Sequence, residues 1–209
     1  VSAELDRRGR KGLDGLINNA GGGVVAPVEP MDLGAFRVEL EARVLGAVAM
    51  VQAFLPLIRR VEGRIVWIVT PATIPTPYVA SIHACDFAVN CIARTLDIEL
   101  KSVPNVMIRC GGIRTPAGLR TTADVERCLQ SAPRDRAGLY EQALRAWGRE
   151  MAEFDRKRTE AERVAAIVYR ALASRKPRRR YSIGHMSRAA AFLETLPQPL
   201  VDRILKRRF

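Results

Sequence analysis

The sequence is poor in the side chains that bind metals. Its four cysteines, at positions 85, 91, 110 and 128, form no CxxC pair, and it has two histidines. Structural zinc needs a tight group of nitrogen or sulfur ligands, so we expect no metal site. Few and unpaired cysteines are typical of proteins that stay reduced, and we therefore expect a cytoplasmic protein.

The sequence also has no unbroken hydrophobic run of the roughly 18 residues that a membrane span requires. Arg43, Gln52 and Pro56 interrupt its longest apolar stretches. Residues 1–7 lack the apolar centre of a signal peptide, and the first residue is Val1 rather than methionine. We therefore expect no membrane span and no signal peptide, which makes membrane contact unexpected, and we expect the chain to be a processed or partial product.

Aromatic residues are scarce, at 6%, whereas positive charge is abundant: 34 Lys and Arg against 22 Asp and Glu leave a net charge of +12. Basic clusters occupy positions 7–11, 175–180 and 206–208. Such a charge favours anionic partners in general. Because no nucleic-acid-binding motif or run of aromatics accompanies the clusters, we expect solvated loops and no nucleic-acid partner.

The length and composition are typical of one globular domain. The chain has 209 residues, 48% of them hydrophobic and 27% charged, which is enough to form a substantial core. We find no internal repeat, low-complexity segment or linker. A single domain over residues 1–209 is therefore predicted.

Short apolar runs closed by glycine, asparagine or proline predict buried strands of a parallel sheet. They cover residues 12–19, 64–70 and 105–110. Between them, apolar residues at steps of three and four predict helices over 32–60 and 78–101, with Asp32 as the N-cap of the first. This alternation predicts an α/β fold with right-handed crossovers.

The second half of the chain is more polar and mostly helical. Residues 113–158 are predicted as mainly helix, and residues 160–173 as an amphipathic helix. A last edge strand is predicted at 179–184, followed by helices at 187–196 and 199–206.

A glycine-rich loop follows the first predicted strand. Gly21, Gly23 and Ala26 match the spacing of the GxGxxG/A dinucleotide fingerprint. That fingerprint needs a helix that starts inside the loop, whereas Pro27 and Pro30 follow here, before the first predicted helix. We interpret the match as accidental, and the loop as either a tight turn or backbone that a ligand approaches at the sheet edge.

Two hydroxyl side chains follow the second predicted strand. Thr70 ends that strand and Tyr78 opens the next predicted helix. A tyrosine can exchange a proton with a substrate when a nearby cation lowers its pKa from about 10. Ile82 stands one helical turn later, where a lysine would have that effect, so packing is the alternative role of Tyr78.

Glycines also follow the third predicted strand. Gly111 and Gly112 allow a ligand to approach the backbone, and Arg114 and Thr115 could bind a phosphate or carboxamide. An ordinary strand exit has the same pattern, so the spacing leaves both interpretations open.

Taken in order, these motifs resemble the short-chain dehydrogenase/reductase family, in particular its retinol, hydroxysteroid and hydroxybutyrate dehydrogenase branch. Residues 18–21 are similar to the family's NNAG segment, residues 78–82 to its YxASK motif and residues 111–115 to its PGxxxT motif. Residues 53–66 and 177–184 resemble the helix-to-strand passage and the tail of the same family.

The resemblance implies a Rossmann-like parallel sheet with flanking helices, an NAD or NADP cofactor, and hydride transfer at a hydroxyl or carbonyl of an apolar substrate. It makes Tyr78 the proton donor and Thr70 the residue that holds the substrate oxygen. It also makes residues 113–158 a substrate lid, and the helices at 32–60 and 78–101 the interface of a homodimer or tetramer. The cofactor-binding residues that it implies are Asn18, Asn19, Ala20, Gly21, Gly112, Ile113 and Thr115.

The sequence departs from the family pattern at several positions. Arg43 and Ile82 stand where the family has its catalytic Asn and Lys, and Gly111 replaces a proline. The given sequence starts just before the NNAG strand, after the position of the family's first βαβαβ part and glycine loop. We expect either an N-terminal truncation or a protein that lacks half of its nucleotide site. We expect weakened proton transfer, with Arg43 restoring part of the lost charge. Two main functions stay open: a divergent oxidoreductase, and an inactive relative that acts through oligomerisation or protein association. A third possibility is binding to the surface of acidic membranes through residues 206–209 and the basic cluster at Arg178.

Overall fold

The computed structural model describes residues 1–71, 74–116 and 121–208, and only the backbone of Thr121, Arg207 and Arg208. Its centre is a parallel sheet of four strands in the order β1-β2-β3-β4. The strands are β1 (Gly15–Asn18), β2 (Arg64–Val69), β3 (Asn105–Cys110) and β4 (Arg180–Ile183). The predicted α/β fold and the position of each strand are thus confirmed.

Helices connect the strands. They are α1 (Ser2–Arg7), α2 (Leu33–Leu40), α3 (Gly46–Arg59), α4 (Ala80–Glu99), α5 (Thr121–Ser131), α6 (Arg134–Arg156), α7 (Ala161–Ala173), α8 (Ser187–Leu193) and α9 (Gln198–Arg208). A five-residue π-helical segment, Glu41–Leu45, joins α2 to α3, so the predicted helix 32–60 is nearly continuous.

The sequence analysis missed one helix and placed the start of another incorrectly. The polar opening of the chain forms α1, which the apolar pattern did not indicate because none of its residues is buried. The helix predicted from Tyr78 begins at Ala80, and Tyr78 itself has a φ of 67°. Since a left-handed residue cannot continue a right-handed helix, Tyr78 belongs to the preceding loop.

Two core layers enclose the sheet, because side chains alternate between the faces of each strand. On one face Ile65 and Trp67 pack in the cluster that includes Ile58 of α3 and Val89 of α4. On the other face the cluster includes Val66 and Ile108 with residues of α7, among them Ala171. A separate cluster joins α5 and α6 to the loop before α2 through Ala26, Val125, Leu144 and Trp147.

Among the described residues, one helical stretch, Leu33–Arg59, is long and apolar enough to cross a membrane by length and composition. Its Val51 and Ile58 are buried in the sheet core. Helices that pack on the sheet of an α/β fold have the same apolar character. The packing of one side of this stretch against the sheet therefore explains its composition.

The N-cap predicted at Asp32 is confirmed, since its Oδ1 accepts a hydrogen bond of 2.7 Å from the backbone N–H of Gly34. We expect Asp32→Ala to lower the free energy of unfolding by about 1 kcal/mol, because a helix N–H loses its acceptor. Asp32→Asn keeps an acceptor and is the control. Urea unfolding of both variants measures the effect, and equal losses would contradict the capping role.

Candidate active site

The carboxyl ends of the four strands meet at one edge of the sheet, which places the three predicted site segments together. A cavity of about 550 Å³ lies beside the end of β1. Its wall includes Asn18, Asn19 and Ala20, the charged side chains of Arg43 and Asp86, and mainly apolar residues of α3 and β2 such as Met50, Ala53 and Trp67. Part of the predicted cofactor segment thus lines a ligand-sized space.

Asn18 contributes an unsatisfied donor to this region. Its Nδ2 is buried and has no hydrogen-bond partner in the described part of the chain. Buried polar atoms without partners are uncommon and are costly to leave unpaired. An acceptor on a ligand would satisfy this amide.

A buried ionic network is centred on Asp86, whose side chain is 1% exposed. Its Oδ2 accepts hydrogen bonds from the Thr70 backbone N–H at 2.9 Å and from the Thr70 Oγ1 hydroxyl at 2.6 Å. Its Oδ1 accepts from Nη2 of Arg43, which lies in the π-helical segment. Asp86 therefore joins α4, the end of β2 and the π segment.

Arg43 extends the network to the glycine-rich loop. Its Nη1 donates to the Gly22 carbonyl at 3.2 Å, and its Nε lies 3.8 Å from Oε1 of Glu39. A Cβ on Gly21 would lie 2.4 Å from the Arg43 Cγ, so a glycine is required there. The structure thus supports a close backbone approach at this loop. No helix begins between Gly21 and α2 at Leu33, so the helix start that the fingerprint needs is not there, as expected.

This network changes the chemistry available to Thr70. A threonine hydroxyl has one proton to donate and two lone pairs that accept. Because Thr70 donates to Asp86, it can only accept a hydrogen bond from a ligand. Thr70 can therefore hold a substrate hydroxyl but cannot polarise a carbonyl oxygen in this arrangement.

Glu39 and Asp86 are functional candidates that the sequence analysis missed. Glu39 is 5% exposed, and neither of its carboxylate oxygens has a hydrogen-bond partner in the described part of the chain. The available signal was a Glu four residues before Arg43 on an apolar helix. With these two carboxylates beside it, Arg43 directs its charge to them, and it has no described contact with Tyr78.

Tyr78 lies apart from the network, under the helices predicted as a lid. Its ring makes an edge-on contact with Trp147 of α6, with centroids 5.7 Å apart. Its carbonyl accepts from the Ala26 N–H at 2.8 Å, and its hydroxyl has no hydrogen bond to the described residues. Tyr78 and Thr70 therefore share no hydrogen bond, although both flank the same loop.

Ile82 packs toward the glycine-rich loop. A Cβ on Gly23 would lie 2.3 Å from the Ile82 Cδ1 and 3.8 Å from Oε1 of Glu39. The position that the resemblance assigns to a lysine is thus occupied by an aliphatic side chain near a buried carboxylate.

Gly112 and Ile113 are enclosed by the rest of the fold. The Gly112 N–H donates to the His185 carbonyl at 2.9 Å, and its own carbonyl accepts from Thr159 at 3.0 Å. Ile113 is 9% exposed, and its carbonyl accepts from Arg158 at 3.1 Å. These three backbone groups are thus paired within the protein, and Thr115 is partly buried. Binding of a cofactor by these residues stays a prediction.

The thiols near the network are not nucleophiles. Burial raises the pKa of Cys110 to about 12 and that of Cys85 to about 11, so both remain protonated at neutral pH. Burial also lowers the pKa of His83, which keeps its imidazole neutral. The groups near the strand ends that can bind a ligand or exchange a proton at neutral pH are therefore hydroxyls, amides and carboxylates.

The sequence is similar to a known protein family and to several of its members. Residues 3–126 match the family model described as short chain dehydrogenase. The 11-beta-hydroxysteroid dehydrogenase type 2 of Ovis aries is 31% identical over 83% of this chain and 43% of its own length. The Homo sapiens enzyme of the same name is 30% identical over 95% of this chain and 51% of its own length. The chain thus spans about half the length of the curated relatives it matches.

Solved structures have the same fold. A short-chain dehydrogenase from Streptomyces avermitilis superposes with a TM-score of 0.67 and 19% identity, over 99% of this chain and 73% of that one. An alcohol dehydrogenase from Thermococcus sibiricus, complexed with 5-hydroxy-NADP, superposes with a TM-score of 0.52 and 24% identity, over 64% and 63%. The predicted Rossmann-like fold is confirmed.

The buried ion pair gives a test of the site's architecture. We expect Arg43→Met to lower the free energy of unfolding by roughly 3 kcal/mol, because it leaves the Asp86 carboxylate buried without its cation. Asp86→Ala should lower the free energy of unfolding less in the Arg43→Met protein than in the natural protein. Urea unfolding of the four proteins measures this coupling, and additive losses would contradict a direct ion pair.

Proposed function

This chain belongs to the short-chain dehydrogenase family, and from that premise we propose a divergent oxidoreductase that moves hydride between NAD(P) and an apolar substrate. The observation that carries the proposal is the cavity of about 550 Å³ lined by Asn18, Asn19 and Ala20. A cavity at the carboxyl edge of a parallel sheet is the usual place for a ligand in such folds.

The residues around the cavity fit part of a nicotinamide cofactor. The free Asn18 amide can donate to a carboxamide or ribose oxygen, and the apolar wall can contact a ring. The charged pair on the wall, Arg43 and Asp86, is internally balanced and offers little to a pyrophosphate. When bound, the cofactor would supply or accept a hydride, and either NAD or NADP is consistent with these contacts.

The substrate oxygen would exchange its proton with the Tyr78 hydroxyl, which has no hydrogen bond within the described residues. Thr70 would accept a hydrogen bond from a substrate hydroxyl, which favours the alcohol over the ketone in the ground state. Because Ile82 brings no cation and Arg43 faces two carboxylates, we propose slow proton transfer at neutral pH.

The substrate class follows from the apolar cluster around Tyr78 and from the relatives. Trp147, Leu144 and Val125 of the lid-like helices pack together with Tyr78. Curated relatives include 11-beta- and 17-beta-hydroxysteroid dehydrogenases. We therefore propose an apolar alcohol of steroid size.

The first test measures nucleotide binding by fluorescence with NADH and NADPH, followed by oxidation of estradiol with NAD and NADP. We expect micromolar binding that Asn18→Leu weakens about tenfold, the loss of roughly one hydrogen bond. Tyr78→Phe should lower turnover about a hundredfold, since the proton carrier is removed. Tyr140→Phe, which changes a lid tyrosine bound to Glu29, should leave turnover nearly unchanged. No binding of either nucleotide up to millimolar concentration would refute the proposal.

The second candidate function is association of copies through the long helices. The faces of α2, the π-helical segment and α4 turned away from the sheet expose large apolar side chains, among them Val38 at 66%, Leu45 at 63%, Phe87 at 45% and Ile98 at 78%. Phe87 and Ile98 are eleven residues apart on α4, which places them on one side of the helix. An apolar surface of this kind is typical of an interface, and we propose a homodimer or tetramer there.

The oligomer has its own test. We expect Ile98→Glu to shift the protein from dimer or tetramer to monomer in sedimentation velocity, because a carboxylate would be buried in an apolar contact. Tyr169→Glu changes a side chain of similar exposure, 74%, on the opposite layer and should leave the assembly intact. A natural protein that is monomeric at tens of micromolar would exclude this function.

A further inference from the structure

The last two helices present an apolar and basic surface that the proposed function does not use. Phe192 of α8 is 65% exposed, and Leu200 and Ile204 of α9 are 42% and 39% exposed. Arg188, Arg203 and Lys206 are exposed on the same helices. We call these six side chains the C-terminal surface.

The geometry of α9 places apolar and basic groups side by side. Leu200 and Ile204 are four residues apart, so they form one ridge, and Arg203 lies beside it. Val201, 100° around the helix from Leu200, is 5% exposed and anchors the other side in the protein. The outward side of α9 is therefore amphipathic.

The acidic residues nearby do not neutralise this surface. Glu194 is ion-paired with Arg109 of β3, and both side chains are largely buried. Asp202 is partly buried. The sequence continues with Arg207 and Arg208, so the charge of this end of the chain is clearly positive.

The surface is held firmly to the sheet. The Arg109–Glu194 ion pair fixes the end of α8, and Arg109 also donates to the Ser182 Oγ at 3.0 Å. The Ser187 hydroxyl donates to the Gly184 carbonyl at 2.8 Å, which fixes the start of α8. The apolar side chains are thus exposed on an anchored element rather than on a loose tail.

We propose that the C-terminal surface binds membranes rich in anionic phospholipid. Phe192, Leu200 and Ile204 enter the headgroup boundary, while Arg188, Arg203 and Lys206 contact phosphate and carboxylate groups. Amphipathic helices with cations beside an apolar ridge bind membranes in this way without spanning them. This is a contact with the membrane surface and not a membrane span, and it takes up the third interpretation that the basic C-terminus left open.

Other occupants fit less well. In a two-fold interface with a second copy, the surface would face itself and bring like charges together. A nucleic acid would satisfy the cations but leave the three apolar side chains in water. An anionic lipid surface satisfies both kinds of side chain.

The test is co-sedimentation of the full chain with vesicles of phosphatidylcholine and phosphatidylserine at 3:1, with pure phosphatidylcholine vesicles as the reference. We expect binding to the mixed vesicles in 0.1 M salt and a loss of about tenfold or more in 0.5 M salt, since screening weakens the cation contacts. Equal binding to both vesicle types, or none to either, would overturn the proposal.

Variants separate insertion from simple charge adsorption. Arg203→Gln with Lys206→Gln should lower binding about fivefold per charge, and Phe192→Ser with Leu200→Ser should lower it about tenfold or more. The matched control surface is on α7, where Arg163, Arg170 and Tyr169 are exposed. Arg163→Gln with Arg170→Gln, and separately Tyr169→Ser, should change binding less than twofold.

Three outcomes would overturn the proposal even if vesicles bind. Equal losses from the α7 variants would indicate non-specific adsorption of a basic protein. A charge effect without any effect of Phe192→Ser and Leu200→Ser would exclude insertion. Dissociation of an oligomer by those two substitutions, with vesicle binding unchanged, would assign the surface to a contact between copies. Circular dichroism of each variant verifies that the fold is kept.

Discussion

The architecture of the candidate site depends on satisfying one buried carboxylate. Asp86 is almost fully enclosed, and an unpaired charge in that environment destabilises a protein by several kcal/mol. Its three hydrogen bonds to Thr70 and Arg43 therefore determine how β2, α4 and the π segment meet. Through Arg43 the same requirement reaches the loop at Gly21 and Gly22. The positions of β2, α4 and the π segment therefore depend on one another, because the buried Asp86 carboxylate needs hydrogen bonds from both Thr70 and Arg43.

The same contacts limit the chemistry of this edge. The proton of Thr70 and the donors of Arg43 serve Asp86 and the loop, so they are not available to a ligand carbonyl or phosphate. Asn18, in contrast, lines the cavity and keeps a buried amide nitrogen without a partner in the described residues. A short-chain dehydrogenase fold is thus combined with a buried ion network at the strand ends.

The lid-like helices α5 and α6 and the sheet have different roles in shaping the candidate site. The α5–α6 pair contacts Tyr78 through apolar side chains, chiefly Trp147, and Tyr140 ties α6 to Glu29. Gly112 and Ile113 are covered by the end of α6 and by His185. Access to the third strand end therefore depends on how closely these helices pack. The sheet, in contrast, is stabilised by apolar layers on both faces and holds the edge in place.

The sequence by itself determined the strands, the long helices, the Asp32 cap and the family, because hydrophobic period and local hydrogen bonding depend on near neighbours. It also indicated Asn18, Asn19 and Ala20, which follow directly from a strand end. Only the tertiary structure decided that Asp86 meets Arg43, 43 residues away, and that Tyr78 leaves its helix. Those outcomes depend on which charges are buried together when the elements pack, and no local pattern contains that information.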